Sequence, residues 1–301
     1  MLQVRYVRCD VFSDQVFGGN PLAVFTDARA LTTEQMQKIA NEMNLSETVF
    51  VLPAEQGGTA KLRIFTPKME LPFAGHPTLG AALVLARPLQ TDRLNLETRI
   101  GPVPVRIDRE GANPRGAYMM LPPPKVEPVE NPQLILDALG LESSESPLLR
   151  YSYGFTHIVV EVASPSIVAS CQPNFAELAY LGPVGLVVCA VEKPENASNG
   201  LHGAITSAAK VKARVFAPGA GVLEDPATGS AVAPVALHLQ RHGGGQTVET
   251  LTISQGVELG RPSQLEAIVY AEGGQVRQIE VGGGAVVLGR GEWHLPGRTS
   301  D

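Results

Sequence analysis

A pattern that occurs twice, half a chain apart, constrains this sequence more than any other feature. Lys61-Leu-Arg63-Ile-Phe65-Thr-Pro67 and Lys212-Ala-Arg214-Val-Phe216-Ala-Pro218 share the form K-x-R-(I/V)-F-x-P. Each is followed by a Gly-containing loop and then a (H/D)-P-x-x-G step, His76-Pro-Thr-Leu-Gly80 in the first copy and Asp225-Pro-Ala-Thr-Gly229 in the second. Two coincidences in the same order indicate an internal repeat of two large units, not a solenoid of short ones. In each copy an alternating basic and apolar run reads as a strand ending at Pro. The following stretches, Gly80-Ala-Ala-Leu-Val-Leu-Ala86 and Gly229-Ser-Ala-Val-Ala233, are small and apolar all round. A helix of that composition is buried on every side, so each is expected to run through the centre of its lobe.

The local chemistry of the repeat adds detail. Pro77 and Pro226 are expected at the first helical position, where the missing N–H is no loss. A kink is expected at Pro234, inside a helix carried on by Leu237 and Leu239. Gly80 and Gly229 then fall in the first helical turn, which suggests close approach of another backbone or a ligand. Helix N-termini with free N–H groups favour anions, so the two related N-termini point to a carboxylate-bearing ligand. Asp225 precedes its Pro as an N-cap would, with Glu224 beside it as a solvated acid or as half of a carboxylate pair. His76 caps poorly, which favours a functional role at the same place.

At 301 residues the chain suits two domains of about 150 residues. Hydrophobic residues at 44% and charged residues at 18% are globular values. A net charge of −6 without a basic run argues against a nucleic-acid binder. Cys9, Cys171 and Cys189 are widely spaced and include no C-x-x-C, which argues against a disulfide framework and a zinc site. No apolar run approaches a membrane span and no signal peptide is visible, so a cytoplasmic protein without membrane partners is expected.

Along the chain, strands are expected at 2–12, 22–26 and 48–52, with the turn Gly18-Gly19-Asn20-Pro21 between the first two. Thr32-Thr-Glu-Gln35 fits a capping box for an amphipathic helix at about 33–43. Glu47 lies where that helix gives way to an apolar strand. It reads either as a surface glutamate or as a partly desolvated general base. Further strands are expected at 95–100, 103–107 and 117–121, and Pro122-Pro-Pro124 is the strongest linker signal. The second half holds a helix from Asn131-Pro132 to Gly140, strands near 148–152, 156–162 and 184–191, and a short helix from Asn174. Lys193–Gly200 reads as an exposed loop and Gly243–Gly245 as a helix terminator. Four strands close the chain, near 249–254, 265–271, 275–281 and 284–288. Residues 1–122 are assigned to an N-terminal lobe, with about 284–297 as a candidate strand returning to it, and 123–283 to a C-terminal lobe. The class is α+β.

Gly19-Asn20-Pro21, Ser46-Glu47-Thr48-Val-Phe50, Phe65-Thr-Pro67, Phe73-Ala-Gly-His76-Pro-Thr-Leu-Gly80, Glu224-Asp225-Pro-Ala-Thr-Gly-Ser230, Gln255-Gly256 and Gly260-Arg-Pro-Ser263 follow one another in order. Together they resemble the PhzF-like isomerase family of phenazine biosynthesis over nearly the whole chain. The resemblance implies a diaminopimelate epimerase-like fold, two pseudo-symmetric lobes that are each a β-barrel around a central α-helix. It implies that Glu47 is the catalytic acid/base, with His76 and Asp225 assisting proton transfer. Gly75, Gly229 and neighbouring N–H groups would hold the substrate carboxylate, and Asn20, Pro77, Thr78 and Ser230 would complete the substrate contacts. It also implies a homodimer that needs neither cofactor nor metal and takes a substrate like trans-2,3-dihydro-3-hydroxyanthranilate. Related epimerases and racemases use one cysteine per lobe at the two helix starts, and here neither start carries one. A single glutamate shifting a proton fits better. The alternatives are an epimerase or racemase of a small amino acid, and a non-enzymatic binding or regulatory protein.

Overall fold

A computed structural model of the protein describes residues 2–192, 208–242 and 249–295. The Lys193–Gly200 loop and the Gly243–Gly245 terminator lie outside the described residues. In chain order the elements are β1 (Leu2–Val11), β2 (Asn20–Phe25), α1 (Thr33–Met43), β3 (Glu47–Leu52), β4 (Ala60–Phe65), β5 (Glu70–Leu71), α2 (Gly75–Leu89), β6 (Arg93–Thr98), β7 (Gly101–Glu110) and β8 (Asn113–Leu121). Then follow β9 (Lys125–Pro128), α3 (Pro132–Leu139), β10 (Leu149–Tyr153), β11 (Phe155–Glu161), α4 (Pro165–Ser170), α5 (Phe175–Ala179), β12 (Val184–Val191), β13 (Ala208–Ala217), β14 (Val222–Asp225), α6 (Gly229–His242), β15 (Thr250–Gln255), β16 (Ser263–Glu272) and β17 (Gln275–Leu295). The chain divides into two compact units, Met1–Met119 with Gly282–Asp301, and Met120–Val281.

The first unit is a closed barrel. β1 pairs antiparallel with β2 and β17, β2 parallel with β3, and β3 antiparallel with β4. β4 runs parallel to β6, β6 antiparallel to β7 and β7 antiparallel to β8, which meets β17 and closes the ring at eight strands. Inside it α2 packs on β1, β2, β3, β6 and β7. Its small, apolar sequence is thus explained, with Leu79, Ala81, Ala82 and Ala86 all buried. On the outside, α1 covers a stack of aromatic residues. Phe25 lies on Phe50 at 5.0 Å, and Trp293 meets both Tyr6 and Phe25 edge-on. The expected capping box is present, with Gln35 N–H donating to Thr32 Oγ1 and Thr32 N–H to Gln35 Oε1.

The second unit repeats the plan. β9, β10 and β11 are antiparallel, β11 and β12 parallel, and β12 and β13 antiparallel. β13 runs parallel to β15, which pairs antiparallel with β16. α6 takes the central place, packing on β10, β11, β12 and β16. It continues through Pro234 to His242 as one helix. Fully buried His238 pins its later turns, meeting Tyr151 Oη with Nδ1 at 2.9 Å and Ser146 Oγ with Nε2 at 2.7 Å. Helices α3, α4 and α5 cover β11 and β12 on the outer side.

Three expectations need correction. α2 begins at Gly75, so Pro77 is its third residue and Gly80 lies in the second turn. α6 begins only at Gly229, three residues after Pro226. Gly80 is required by packing, since a Cβ there would lie 2.5 Å from Leu22 Cδ2 and 2.7 Å from Val11 Cγ2. The neighbours are barrel side chains. The two closing strands are one strand, β17, because the glycine run accommodates a neighbour instead of breaking the ladder. A Cβ on Gly282 would sit 2.1 Å from the Tyr118 ring.

Candidate active site

In the first unit the site is built at one end of β2 and β3 and at the start of α2. Leu22 is the register partner of Glu47, which places Asn20 just beyond the end of β3. Gly19 enters this corner at φ +60, and a Cβ on it would stand 2.3 Å from the Val11 carbonyl oxygen. Only glycine combines that backbone with that approach. The strand then carries Asn20 inward, where it is fully buried.

Glu47 opens β3 and its Oε2 comes within 3.4 Å of His76 Nδ1 on α2. Both side chains are largely enclosed, 17% and 5% exposed. Burial drives the His76 pKa down to about 3, so the imidazole is neutral near pH 7 and the approach is not an ion pair. His76 Nε2, buried, has no hydrogen-bond partner among the described residues. A neutral imidazole with an unmatched nitrogen beside a carboxylate suits proton handling better than structural support.

The turn around His76 supplies backbone rather than further side chains. Ala74 is the N-cap of α2 and no side chain caps it, so the first-turn amides of Gly75 and His76 have no intrahelical acceptor. Pro77 has no N–H to offer. The Thr78 hydroxyl donates to the Ala74 carbonyl at 2.8 Å, which commits its proton inside the turn. A cavity of about 720 Å³ in the same unit is lined by Arg5, Tyr6, Leu83, Arg87 and Arg290 among others, and none of the candidate residues borders it.

In the second unit Asp225 ends β14 and is not an N-cap, because α6 starts four residues later. Thr228 Oγ1 donates to Asp225 Oδ2 at 2.6 Å. Gln255, only 2% exposed, locks the turn. Its Nε2 donates to the Asp225 carbonyl at 2.7 Å and to Thr228 Oγ1 at 3.0 Å, and its Oε1 accepts from Thr228 N–H at 3.2 Å. Gly256 must be glycine, since its φ is +74 and a Cβ would lie 2.5 Å from the Pro226 carbonyl oxygen. Glu224 is neither solvated nor paired with its neighbour Asp225. Its carboxylate is held by Arg214 at 2.8 Å and its side chain is 9% exposed.

Ser230 is the second residue of α6, beside Gly229, and its Oγ lies 2.9 Å from His157 Nε2 on β11. Sequence reading missed both Gln255 as the residue that holds Asp225 and His157 as the partner of Ser230. The first had a signal, the Gln255-Gly256 dipeptide; the second had none, because a lone histidine in an apolar strand reads as core. Among the described residues no group of three His, Cys, Asp or Glu side chains is arranged to hold a metal ion.

Two half-chain barrels, each threaded by an apolar helix with polar residues at its N-terminal end, define a protein of the diaminopimelate epimerase-like fold. The sequence matches the phenazine biosynthesis-like protein family, PhzC-PhzF, over residues 9–291. It is 40% identical over 291 residues to a trans-2,3-dihydro-3-hydroxyanthranilate isomerase of Pseudomonas aeruginosa, covering 97% of this chain and 99% of that one. A PhzF family protein from Bacillus anthracis superposes with a TM-score of 0.82 at 23% identity, over 98% of this chain and 100% of the other. A probable proline racemase from Agrobacterium radiobacter shares the fold at a TM-score of 0.62 and 13% identity, over 99% and 94% of the two chains. The chain belongs to the PhzF family, and it is an isomerase.

Proposed function

We propose that this isomerase shifts a proton within a small cyclic, unsaturated carboxylate of the trans-2,3-dihydro-3-hydroxyanthranilate type, with Glu47 as general acid/base and without a cofactor. The observation that carries the reading is Glu47 against neutral His76 in an enclosed corner. A carboxylate there removes a proton from one carbon, the electron pair moves through the adjacent double bond, and the protonated acid returns the proton to another carbon. One C–H bond breaks, one forms, and no electrons are gained or lost. His76 stays uncharged beside Glu47. In the first unit the first-turn amide of Gly75 suits a carboxylate, and in the second unit Asp225, Ser230 and the amide of Gly229 are the polar groups that a substrate would meet.

A two-thiol racemase fits less well. Cys9, Cys171 and Cys189 are buried, none opens α2 or α6, and burial raises each thiol pKa, that of Cys9 to about 12. The same reading sets the enzyme in the cytoplasm as a homodimer acting on a small molecule, an assembly state that sedimentation at micromolar concentration tests. The chemistry is tested by proton NMR in D2O with trans-2,3-dihydro-3-hydroxyanthranilate. Deuterium incorporation and a moved double bond are expected, both lost in Glu47→Gln, which still binds the compound. Turnover retained in that variant overturns the assignment.

A further inference from the structure

The repeat aligns the two barrels residue by residue. Phe65 and Phe216 end the same five-residue run. Phe65 pairs with Thr48 on β3, and Phe216 pairs with Leu186 on β12. One residue earlier on each strand, Glu47 therefore corresponds to Gly185. Across the neighbouring parallel strands Glu47 pairs with Leu22 and Gly185 pairs with His157, so Leu22 corresponds to His157. The helices agree. Leu22 crowds Gly80, and His157 reaches Ser230 next to Gly229, the repeat equivalent of Gly80.

The second unit thus has no side chain where the first carries its carboxylate. The His157 ring takes the room: a Cβ on Gly185 would lie 2.4 Å from its Nδ1. His157 is 1% exposed, and Nδ1 is buried without a hydrogen-bond partner among the described residues. An orphaned N–H is rarer in a folded interior than an orphaned acceptor, so the proton belongs on Nε2. From there it is donated to Ser230 Oγ at 2.9 Å. Burial, which lowers the pKa to about 3, excludes a second proton near neutral pH. Ser230 cannot then give its own hydroxyl proton to His157, and that proton is available to another acceptor.

We propose that His157 is a positioning residue that fixes the Ser230 hydroxyl as a neutral hydrogen-bond donor to an anionic oxygen of the substrate, in the lobe where the repeat would otherwise place a second base. This rests on the reading of Ser230 as a substrate contact. At the position that corresponds to Glu47 the second unit therefore offers His157 and the uncharged Ser230 hydroxyl in place of a side-chain carboxylate. The alternative chemistry of the same pair, a serine activated by histidine as nucleophile, needs the opposite tautomer with Nε2 as acceptor and Nδ1–H orphaned.

The first arm of the test needs no substrate. Long-range nitrogen–proton NMR on the full chain with labelled histidine is expected to show His157 as the neutral Nε2–H tautomer at pH 7, assigned by its loss in His157→Gln and shifted in Ser230→Ala. The Nδ1–H tautomer, or an imidazolium, overturns the proposal. The second arm uses trans-2,3-dihydro-3-hydroxyanthranilate. His157→Leu and Ser230→Ala are each expected to lower kcat/KM about tenfold, the size of one well-placed hydrogen bond. The double variant should be no worse than the worse single one. His157→Gln, whose amide can still donate to Ser230 Oγ, should recover most of the loss. Independent effects that multiply in the double variant, or no rescue by Gln, overturn the proposal. If the wild-type chain is inactive on this compound, the isomerase reading fails for that substrate and the tautomer alone decides.

Discussion

Arg214 donates from Nε and Nη2 to the two carboxylate oxygens of Glu224, each at 2.8 Å. Its guanidinium lies over the Phe216 ring at 4.9 Å and its Nη1 reaches the Cys171 carbonyl at 2.7 Å. The first unit carries the same device. Arg63 grips Glu70 at 2.8 and 2.7 Å and lies over Phe65 at 5.1 Å. The Arg-x-Phe of each repeat is therefore a clamp that closes a hairpin, β4 to β5 in one unit and β13 to β14 in the other.

Removing the guanidinium from the second clamp leaves a carboxylate that is 9% exposed without its partner and frees the carbonyl at the end of α4. Arg214→Met is expected to destabilise the fold by about 2–3 kcal/mol. Pairing it with Glu224→Leu should return part of that loss, because the uncompensated charge is gone. Urea unfolding of the three proteins checks the order; a double variant less stable than Arg214→Met contradicts it.

Much of this was legible in the sequence, and for a physical reason. The repeat had to appear twice because each barrel needs its own clamp and its own apolar helix. The α1 cap was legible because Thr32 and Gln35 act only on each other's backbone. What was not legible depends on partners distant in the chain. Nothing near Glu224 announces that Arg214 takes its charge, and nothing near Gly80 announces the Leu22 side chain that excludes a Cβ. The offset between the two helix starts escaped for the same reason. Gln255 holds the residues after Pro226 in a turn, so α6 begins later than α2 although the local motif is alike.

His76 and His157 make the fold sensitive to acid. Burial lowers both from 6.5 to about 3. The unfolded chain takes up a proton at each site near pH 6.5 and the native chain does not, so stability present above pH 6.5 is lost as the pH falls below it. The slope for each histidine is about 1.4 kcal/mol per pH unit. Urea titrations at pH 7, 6 and 5 should show the decline, and His157→Gln should have a shallower one. Identical slopes in the two proteins would contradict neutral burial of His157.

The glycines of β17 are not interchangeable. A Cβ on Gly282 meets the Tyr118 ring at 2.1 Å and the Ala117 carbonyl oxygen at 2.5 Å, and the backbone of a closed barrel has little room to give. On the same strand a Cβ on Gly289 meets nothing within 4 Å. Gly282→Ala is expected to lower stability by about 1–3 kcal/mol, with Gly289→Ala neutral or slightly stabilising. Thermal melts of the two single variants test the contrast; equal melts would place the Tyr118 ring elsewhere.

Gln255 separates positioning from chemistry. Its amide makes three hydrogen bonds, to the Asp225 carbonyl, Thr228 N–H and Thr228 Oγ1, and no shorter or apolar side chain can make them. In Gln255→Leu the Thr228 amide and the Asp225 carbonyl lose these partners in a buried place, a loss of about 1–3 kcal/mol in stability. The Asp225 carboxylate then loses the rigid turn that aims it, while Glu47 and His76 in the other unit keep their mutual contact. If Asp225 assists the proton shift, the variant should bind substrate more weakly and turn over more slowly, yet still exchange deuterium in a Glu47-dependent way. Gln255→Glu keeps the shape and one acceptor for Thr228 N–H but loses the donor to the Asp225 carbonyl, and it sets a carboxylate beside Asp225. It should therefore fold no better than Gln255→Leu, because the new charge is buried without a partner, and be less active. Equal activity in the two variants would mean that the charge of Asp225 is not felt in the reaction, and would remove Asp225 from the catalytic set.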